Sequence, residues 1–385
     1  MTDNGTILAL NCGSSSIKFA AFDRTCHGLH RGQVENIGVG LSPRLKDGEG
    51  SRDLPGDLAT HAGIIGYLLR DVIMPRFGDV CGVGHRVVHG GTVFDQPALV
   101  DATVHAGIAA LSPLAPSHQP HNLAGIDAVA RALPGVPQVA CFDTAFHRTI
   151  PEHRQLMALP RSYAEQGLRR FGFHGLSYQS IVARLPEVTS GRRVVICHLG
   201  NGCSLAGVVD GQSAWTSMGF TPLDGLVMGS RPGRLDPGAV LWLIRHHDGD
   251  LDAVDRILNR ESGLLGVSGQ SSDMRVLLDS DREAAELAIT MFVDRLVQEI
   301  GSAMAAIGGL DALVFAGGMG ENAAAIRIRA MKALVWTGLQ IDEDANARHA
   351  GRISIAASVP SAHVIASDEE AVIARAVYDC TAGLR

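Results

Sequence analysis

Two polar, Gly-rich stretches of this sequence have residue types that suit phosphate chemistry. Residues 11–18 read NCGSSSIK, a short turn with three serine hydroxyls, backbone N–H groups and the ammonium of Lys18. Such a turn can bind anionic oxygens, although Gly-Ser turns are also common in surface loops. Residues 311–322 read DALVFAGGMGEN, in which Gly318 and Gly320 would let a phosphate or ribose approach the backbone at a helix start. Neither the Rossmann GxGxxG nor the Walker GxxxxGKS spacing is present.

Two arginines have surroundings that could bind an anion. Arg86 lies in HRVVHGG and can act as an anion clamp or form a buried structural ion pair, and the local sequence favours neither. Arg231 lies between Ser230 and Pro232 in the Gly/Pro-rich stretch 216–238, which has no helical or strand period. Loops of this length inside a compact domain are usually functional, so Arg231 is a candidate site residue.

One carboxylate and two histidines are further candidates. Asp143 follows the apolar run 136–142, and the end of such a strand is a common place for a metal ligand or catalytic acid. The alternative for Asp143 is a helix N-cap. His118 lies between two prolines in LAPSHQPHN, where we expect a loop. His174 lies in FGFHG, and the two arginines before it favour a site over core packing.

His85 and His89 do not predict a zinc site. Their β-branched neighbours indicate a strand, along which the two residues are about 13 Å apart, too far to share one metal ion. The metalloprotease pattern also needs a Glu beside the first His, on a helix.

The elements that position these residues follow from the apolar pattern. Residues 8–23 form a predicted β-hairpin whose tip is the polar turn 11–16. Residues 194–211 repeat the order strand, polar turn, strand and Asp, with Ser204 in the place of Ser16 about half the chain later. We interpret this repeat as an ancient duplication that produced two similar domains whose turns meet at a cleft.

The remaining elements are predicted from periodicity and from the positions of Gly and Pro. Loops and short strands are expected over 24–60, and strands over 80–88 and 136–142. Helices are predicted over 61–77, 123–133, 239–262, 282–306 and 367–379. The helix 282–306 is amphipathic, with an apolar face for the core or for a dimer. The acidic residues 368–370 complement the dipole of the last helix, or one of them ligates a cation.

The composition describes a globular protein that is long enough for two domains. The 385 residues are 46% hydrophobic and 19% charged, and the net charge of −7 argues against a broad basic face for nucleic acid. Seven scattered cysteines without a CxxC pair indicate reduced thiols in a cytosolic protein. The N-terminus lacks a signal-peptide pattern, and the most apolar stretch, 300–320, contains Asp311. We therefore expect neither secretion nor a membrane span.

In this order, the motifs resemble those of the acetate kinase family, within the acetate/sugar kinase–Hsp70–actin superfamily. The matching stretches cover nearly the whole chain: NCGSSSIKF, GHRVVHGG, FDTAFHRTIP, RRFGFHG, HLGNGCS, TSMGFTPLDGL, GSRPG with LDPG, GVSGQSSDMR, FAGGMGEN and DEEAVIAR. The resemblance implies an α/β protein with two similar RNase H-like (actin-like ATPase) domains and a cleft between them. It implies an N-terminal domain over 1–150, on which a C-terminal helix at about 371–385 packs. The second domain, 151–370, would bind nucleotide and dimerise.

The resemblance also implies an activity. The expected reaction is the reversible, direct in-line transfer of the γ-phosphoryl group of ATP to acetate, giving acetyl phosphate and ADP. The expected enzyme is a cytoplasmic homodimer that uses Mg²⁺ and could use Mn²⁺. The alternatives are a propionate kinase on the same scaffold and a non-catalytic, actin- or Hsp70-like ATP-binding switch. The pair Arg86 and Arg231 argues against the switch, which needs no second anion clamp.

The same resemblance implies four groups of site residues. The catalytic residues are Asp143, Arg86, Arg231, His174, His118 and Asn201. The nucleotide and its phosphates are held by Ser14, Ser16, Lys18, His198, Leu199, Gly200, Asn201, Gly202, Asp273, Met274, Arg275, Gly318, Met319, Gly320, Glu321 and Asn322. The carboxylic acid is bound by Arg86, Val88, Phe173 and Pro222. The magnesium ligands are Asn11 and Glu369. Because a carboxylate acceptor is already ionised at neutral pH, Asp143 is expected to orient the metal ion or its water rather than to accept a proton.

The sequence departs from the family pattern at several positions. HGLSY stands where the family usually reads HGTSH, so that Tyr178 replaces a histidine. The usual LHNPPN or LHNPAN is interrupted by Ser117, Gln119 and His121. In the usual NEE, Asp368 replaces the asparagine. Ser117 leaves the choice between acetate and propionate as substrate open, because one methylene changes the binding free energy by only about 1 kcal/mol in such a pocket.

Overall fold

The structure is a computed structural model that describes residues 5–55 and 58–384. Within these residues the chain forms thirteen strands, and most of the long ones coincide with apolar runs of the sequence. The strands are β1 Thr6–Cys12, β2 Ile17–Phe22, β3 Gly28–Glu35, β4 Arg44–Asp47, β5 Gly50–Asp53, β6 Val80–Val87, β7 Ala98–Leu99, β8 Gln138–Phe142, β9 Arg193–Leu199, β10 Cys203–Val209, β11 Gln212–Thr216, β12 Ala312–Ala316 and β13 Ser361–Val364.

The α-helices of the described residues vary from a single turn to the 25 residues of α13. They are α1 His61–Tyr67, α2 Met74–Phe77, α3 Ala102–Ala110, α4 Gln119–Ala132, α5 Glu152–Gln155, α6 Arg161–Glu165, α7 Gly175–Val182, α8 Leu185–Val188, α9 Pro237–His246, α10 Leu251–Arg256, α11 Gly263–Ser268, α12 Met274–Leu278, α13 Glu283–Ile307, α14 Gly317–Asn322, α15 Ala324–Ala333, α16 Glu343–Ala347 and α17 Glu369–Thr381. Wider π-type turns over Leu68–Ile73 and Ile257–Glu261 extend α1 and α10.

The chain divides into two compact units. Unit 1 comprises Met1–Phe146 and Asp368–Arg385, so that it contains α17 from the end of the chain, and unit 2 comprises His147–Ser367. Each unit has its own β-sheet with helices packed on it. Among the described residues, no helix is both long enough and apolar enough to cross a membrane.

The two sheets share a common strand order. The sheet of unit 1 runs β5-β4-β3-β2-β1-β6-β8-β7, and the sheet of unit 2 runs β11-β10-β9-β12-β13. In both sheets, three consecutive antiparallel strands are followed by two strands that run parallel to the first of them. This shared order confirms the predicted α/β fold class with two similar domains, and it agrees with the repeat interpreted from the sequence.

Strand β6 is covered closely on both faces. A Cβ added at Gly84 would lie 2.2 Å from Cγ2 of Ile373, and one at Gly82 would lie 2.6 Å from Cγ1 of Val377. Helix α17 can pack against this face of β6 because these two positions lack side chains. On the opposite face, α4 contacts β6 and β1, and its Gly125 packs on Cys12 of β1. Because side chains alternate along a strand, Arg86 lies on the same face of β6 as Gly82 and Gly84.

Two helix predictions were wrong in their limits. Helix α4 begins at Gln119 rather than Leu123, because Pro120 falls in its first turn, where a missing N–H group costs no helical hydrogen bond. The predicted helix 239–262 is interrupted between α9 and α10 by Asp248 and Gly249, which both have positive φ angles.

Helix α13 confirms the predicted amphipathic helix, but the face that it buries is narrower than expected. Leu296 and Ile300 are buried in unit 2, together with Phe292. Leu287 and Met291, which belong to the apolar pattern of the sequence, are exposed to solvent.

Candidate active site

Three predicted site residues of unit 1 meet at the same edge of its sheet. Asn11 lies near the end of β1, Arg86 near the end of β6, and Asp143 directly follows β8. These three strands are adjacent and parallel, so their carboxyl ends lie side by side. The carboxyl edge of a parallel sheet is the usual place for a ligand site in an α/β fold.

The side chains of these residues form one hydrogen-bonded cluster. The Nη2 and Nε groups of Arg86 donate to Oδ2 of Asp143 at 2.5 and 3.1 Å, and its Nη1 donates to Oδ1 of Asn11 at 3.2 Å. The Asp143 side chain is fully buried. Of the two alternatives for Arg86, the structure shows the buried ion pair, while each Nη group still carries a second hydrogen that could bind an anion. The anion clamp therefore stays a prediction.

Carboxylates of α17 add to this cluster. Glu369 lies 3.8 Å from Nε of Arg86. Burial lowers the pKa of Arg86, but the negative charges of Asp143, Glu369 and Glu370 outweigh it and leave that pKa above its ordinary value. Burial and the charge of Glu369 raise the pKa of Glu370, while the ammonium of Lys18 lowers it. The guanidinium of Arg86 and the ammonium of Lys18 face three carboxylates here, so negative charge is in excess. Carboxylate and amide oxygens are the ligands that a hard cation such as Mg²⁺ prefers. Among the described residues, however, no group of three or more His, Cys, Asp or Glu side chains is arranged to hold a metal ion, so the magnesium site stays a prediction.

The turn between β1 and β2 confirms the predicted hairpin tip. Gly13 N donates to Ser16 O at 2.8 Å, and the side chains of Ser14 and Lys18 are exposed. Two residues that sequence reasoning missed hold this turn. His61 Nε2 donates to Gly13 O at 2.6 Å, and the buried Asn122 donates to Cys12 O at 2.9 Å.

Asn122 also connects the hairpin to β6, because its Oδ1 accepts from Val88 N at 3.1 Å. It lies in the first turn of α4, four residues after His118, which is the N-cap residue of that helix. The Pro at position 120 could have indicated this helix start, and with it the placement of Asn122 against the ends of β1 and β6.

In unit 2, the predicted residues gather around the turn between β9 and β10. His198 and Leu199 end β9, Gly200–Gly202 form the turn, and Ser204 pairs with His198 across the hairpin. His174 precedes α7 and has a left-handed backbone with φ 60°. Its ring stacks on that of His198, with centroids 4.4 Å apart.

Arg231 approaches the same turn. A Cβ added at Gly202 would lie 2.7 Å from Nη2 of Arg231 and 3.5 Å from Nε2 of His174, so both groups face a point that only glycine leaves open. Arg231 Nη1 donates to Pro222 O at 2.7 Å. Burial lowers the pKa of Arg231, and among residues 5–55 and 58–384 no carboxylate lies within 4 Å of its guanidinium. A partly buried cation without a counter-ion favours an anionic ligand.

Asn201 is held in place by the loop that carries Arg231. Gly229 N donates to Asn201 O at 3.0 Å, and a Cβ added at Gly229 would lie only 2.0 Å from Oδ1 of Asn201. The predicted functional loop 216–238 therefore lies against the β9–β10 turn. The sequence signal was its many glycines, one of which, Gly229, allows both close approaches.

The two stacked histidines each have a hydroxyl partner at Nδ1. Ser204 Oγ lies 2.8 Å from Nδ1 of His174, and Ser177 Oγ lies 2.8 Å from Nδ1 of His198. Tyr178 OH lies 2.5 Å from Ser204 Oγ. The tyrosine that replaces the usual histidine of the family thus belongs to this cluster.

The predicted nucleotide-binding residues of α12 and α14 have different surroundings. A Cβ added at Gly318 of α14 would meet no atom within 4 Å, whereas the side chain of Met274 of α12 is buried, as is that of Leu199 at the end of β9. Glu321 accepts hydrogen bonds from Gly317 N and Ser367 N, so its carboxylate holds the backbone. Other residues predicted to bind the nucleotide have partners nearby in the chain. Asn322 donates to Gly318 O, and Asp273 caps α12 and pairs with Arg275. Their nucleotide contacts stay predictions.

The residues predicted to contact the acid lie in both units. Val88 is buried in unit 1, and Phe173 is buried in unit 2, where its carbonyl accepts from His147. Pro222 is half-buried and supplies the carbonyl that fixes Arg231. Ser117, which could affect the choice of acid, is exposed in unit 1.

Three other histidines are neutral core residues. Burial lowers the pKa of His85, His89 and His147 to about 4 in each case. His85 pairs with Gln138, and His89 accepts from Gly91 N. These partners give both histidines of the HRVVHGG motif structural roles.

Comparison with known proteins identifies relatives that align over almost the full chain. The acetokinase family matches residues 6–375. An acetate kinase of Rhodopseudomonas palustris is 46% identical over 397 residues, which cover 98% of this chain and 99% of that protein. An acetate kinase of Methylocella silvestris is 43% identical, with 96% of each protein covered.

Solved structures give the same result. A propionate kinase from Francisella tularensis matches with a TM-score of 0.91 at 36% identity and covers 97% of this chain and 99% of its own. Acetate kinase from Porphyromonas gingivalis matches with a TM-score of 0.88, also at 36% identity and with the same coverage. The fold is therefore common to kinases of both acids.

Proposed function

Because this chain belongs to the acetokinase family, we propose that it is an ATP-dependent acetate kinase. It transfers the γ-phosphoryl group of ATP to acetate and forms acetyl phosphate and ADP, in a reversible reaction. The observation that carries this proposal within the site is the guanidinium of Arg231, which faces Gly202 beside His174 with no carboxylate of the described residues within 4 Å.

In unit 2, Arg231 and His174 act on the phosphoryl group. Phosphoryl transfer requires little covalent work from a protein and depends on in-line positioning and on positive charge around the equatorial oxygens. The guanidinium supplies a fixed charge, and Nε2 of His174 supplies a hydrogen bond beside it. Asn201, held by Gly229, adds a polar side chain at the same turn. The open surface at Gly318 leaves space for the nucleotide.

In unit 1, Arg86 binds the carboxylate of acetate through its remaining N–H groups. Both carboxylate oxygens of Asp143 accept hydrogen bonds from Arg86, which holds the arginine in one orientation. Acetate is already ionised at neutral pH, so no group needs to remove a proton from it. Asp143 is therefore a positioning group rather than a general base.

We propose that Asn11 and Glu369 hold Mg²⁺, because these oxygen donors lie in the acidic cluster around Arg86. A bound Mg²⁺ would neutralise phosphate charge. The enzyme is proposed to work in the cytoplasm, since all seven cysteines are free thiols, as is typical of a reducing compartment.

The assay that tests the function is acyl hydroxamate formation from Mg·ATP and hydroxylamine, with acetate, propionate and butyrate in parallel. We expect the highest kcat/KM with acetate. Propionate in first place would replace the substrate but keep the kinase. Protein that binds ATP yet forms no hydroxamate with any of the three acids would contradict the proposal and favour the nucleotide switch.

Arg231→Ala should lower kcat about 10²–10³-fold, because it removes a charge that acts on the transition state. The affinity for ATP should change little. Arg161→Ala is the matched control, since Arg161 is exposed on α6. A kcat of the Arg231 variant within threefold of the unmodified protein would remove Arg231 from the site.

Glu369→Gln should raise the Mg²⁺ concentration needed for half-maximal rate, because it removes a charged ligand but keeps the size of the side chain. Titration of initial rate against Mg²⁺ measures this change. Glu343→Gln, at an exposed residue of α16, is the control. An unchanged titration curve would leave Glu369 with the role of stabilising the α17 dipole.

We also propose that two copies of the chain associate through unit 2. Large apolar side chains are exposed there on α9 and α13, namely Leu241, Trp242, Leu287 and Met291, and their burial would be favourable. Light scattering coupled to gel filtration should give twice the chain mass of 40.6 kDa. A mass equal to one chain would overturn the dimer.

A further inference from the structure

A chain of three polar groups connects the core of unit 2 to the ring of His174. Tyr178 and Ser204 are both fully buried, on α7 and β10. Ser204 Oγ lies between the two other groups, 2.5 Å from Tyr178 OH and 2.8 Å from His174 Nδ1. A serine hydroxyl has one hydrogen, so it can donate to only one of these two partners.

The chemistry of the three groups determines which of them donates and which accepts in each hydrogen bond. A phenol is a stronger acid than an aliphatic alcohol, so in the short bond Tyr178 is the better donor and Ser204 the acceptor. The hydrogen of Ser204 is then directed to Nδ1 of His174, which must accept it. A neutral imidazole that accepts at one nitrogen carries its proton on the other, here Nε2.

Nε2 is the nitrogen that faces the proposed phosphoryl site. It lies on the side of Gly202 where the guanidinium of Arg231 also approaches. With the proton on Nε2, the ring offers a hydrogen-bond donor to an anion. With the proton on Nδ1, it would offer a lone pair, which repels phosphate oxygens.

We propose that Tyr178 is a positioning residue, which acts through Ser204 to hold His174 in the Nε2–H tautomer. Its effect on catalysis rests on the proposed function, whereas the tautomer is a property of the protein alone. The ring of Tyr178 has a separate packing role, since it lies edge-on to His147 with centroids 5.5 Å apart. A phenylalanine keeps that packing and removes only the hydroxyl.

The test combines ¹⁵N NMR of the histidine rings with kinetics. In the unmodified protein we expect the His174 signals of the Nε2–H tautomer, assigned by their loss in His174→Gln. Tyr178→Phe and Ser204→Ala should each increase the Nδ1–H form and lower kcat by about 10- to 100-fold, with KM for ATP almost unchanged. If the three groups act as one unit, the double variant should be no slower than the slower single variant.

Tyr163→Phe is the matched control, because Tyr163 is an exposed residue of α6. An Nδ1–H tautomer of His174 in the unmodified protein would overturn the proposal. An unchanged tautomer in both Tyr178→Phe and Ser204→Ala would also overturn it. If either variant fails to fold, the other one decides. The expected tautomer in a protein that makes no acyl phosphate would support the positioning role of Tyr178 and reject the kinase function.

Discussion

The ion pair between Arg86 and Asp143 is the interaction on which the site of unit 1 depends. The Asp143 side chain is fully buried, and a buried carboxylate without a partner costs several kcal/mol. Its partner is available because β6 and β8 are adjacent parallel strands whose ends coincide. The same strand period places Arg86 on the face where Gly82 and Gly84 admit α17, so the acidic start of that helix reaches the guanidinium.

The two units have the same strand order but opposite local charge. At the strand ends of unit 1, Arg86 and Lys18 lie among three carboxylates, so negative charge is in excess. At the corresponding end of β9 in unit 2, Arg231 and His174 approach a glycine turn, and no carboxylate of the described residues lies within 4 Å of the Arg231 guanidinium. Strand order therefore determines where functional side chains gather in each unit, while their identity determines which ligand each unit can bind. This separation is what a duplicated fold needs in order to acquire two chemical roles.

The elements that carry several candidate site residues could be predicted from the sequence where local pattern alone determines structure. The hairpin of residues 8–23 and the strand that ends at Asp143 follow from apolar runs, whereas the contact between Asn11 and Arg86 depends on the pairing of β1 with β6. Contacts between distant segments were not predictable in this way. Asn122 was missed because its role depends on the simultaneous placement of Cys12 and Val88, far away in the chain.

Two single residues also show what a sequence motif leaves undetermined. Glu321 belongs to a motif that indicates nucleotide binding, yet its carboxylate holds two backbone N–H groups, one of them on Ser367. A motif reports which residues occur together but not which atoms of them face a ligand. For Tyr178 the sequence showed only a departure from the family pattern, and its meaning required the distance to Ser204.

The choice of hydroxyls around His174 follows from the charge of its surroundings. In a catalytic triad, a carboxylate accepts from Nδ1–H and leaves Nε2 as a base. An anion-binding histidine needs the reverse, a donor at Nε2, and a carboxylate next to it would also cancel part of the field of Arg231. A hydroxyl adds no charge, but it can rotate and so fixes no tautomer unless a second donor holds it. In the arrangement that we propose, the phenol of Tyr178 is that donor. A neutral pair of hydroxyls thereby orients the imidazole and leaves the positive charge of the site intact.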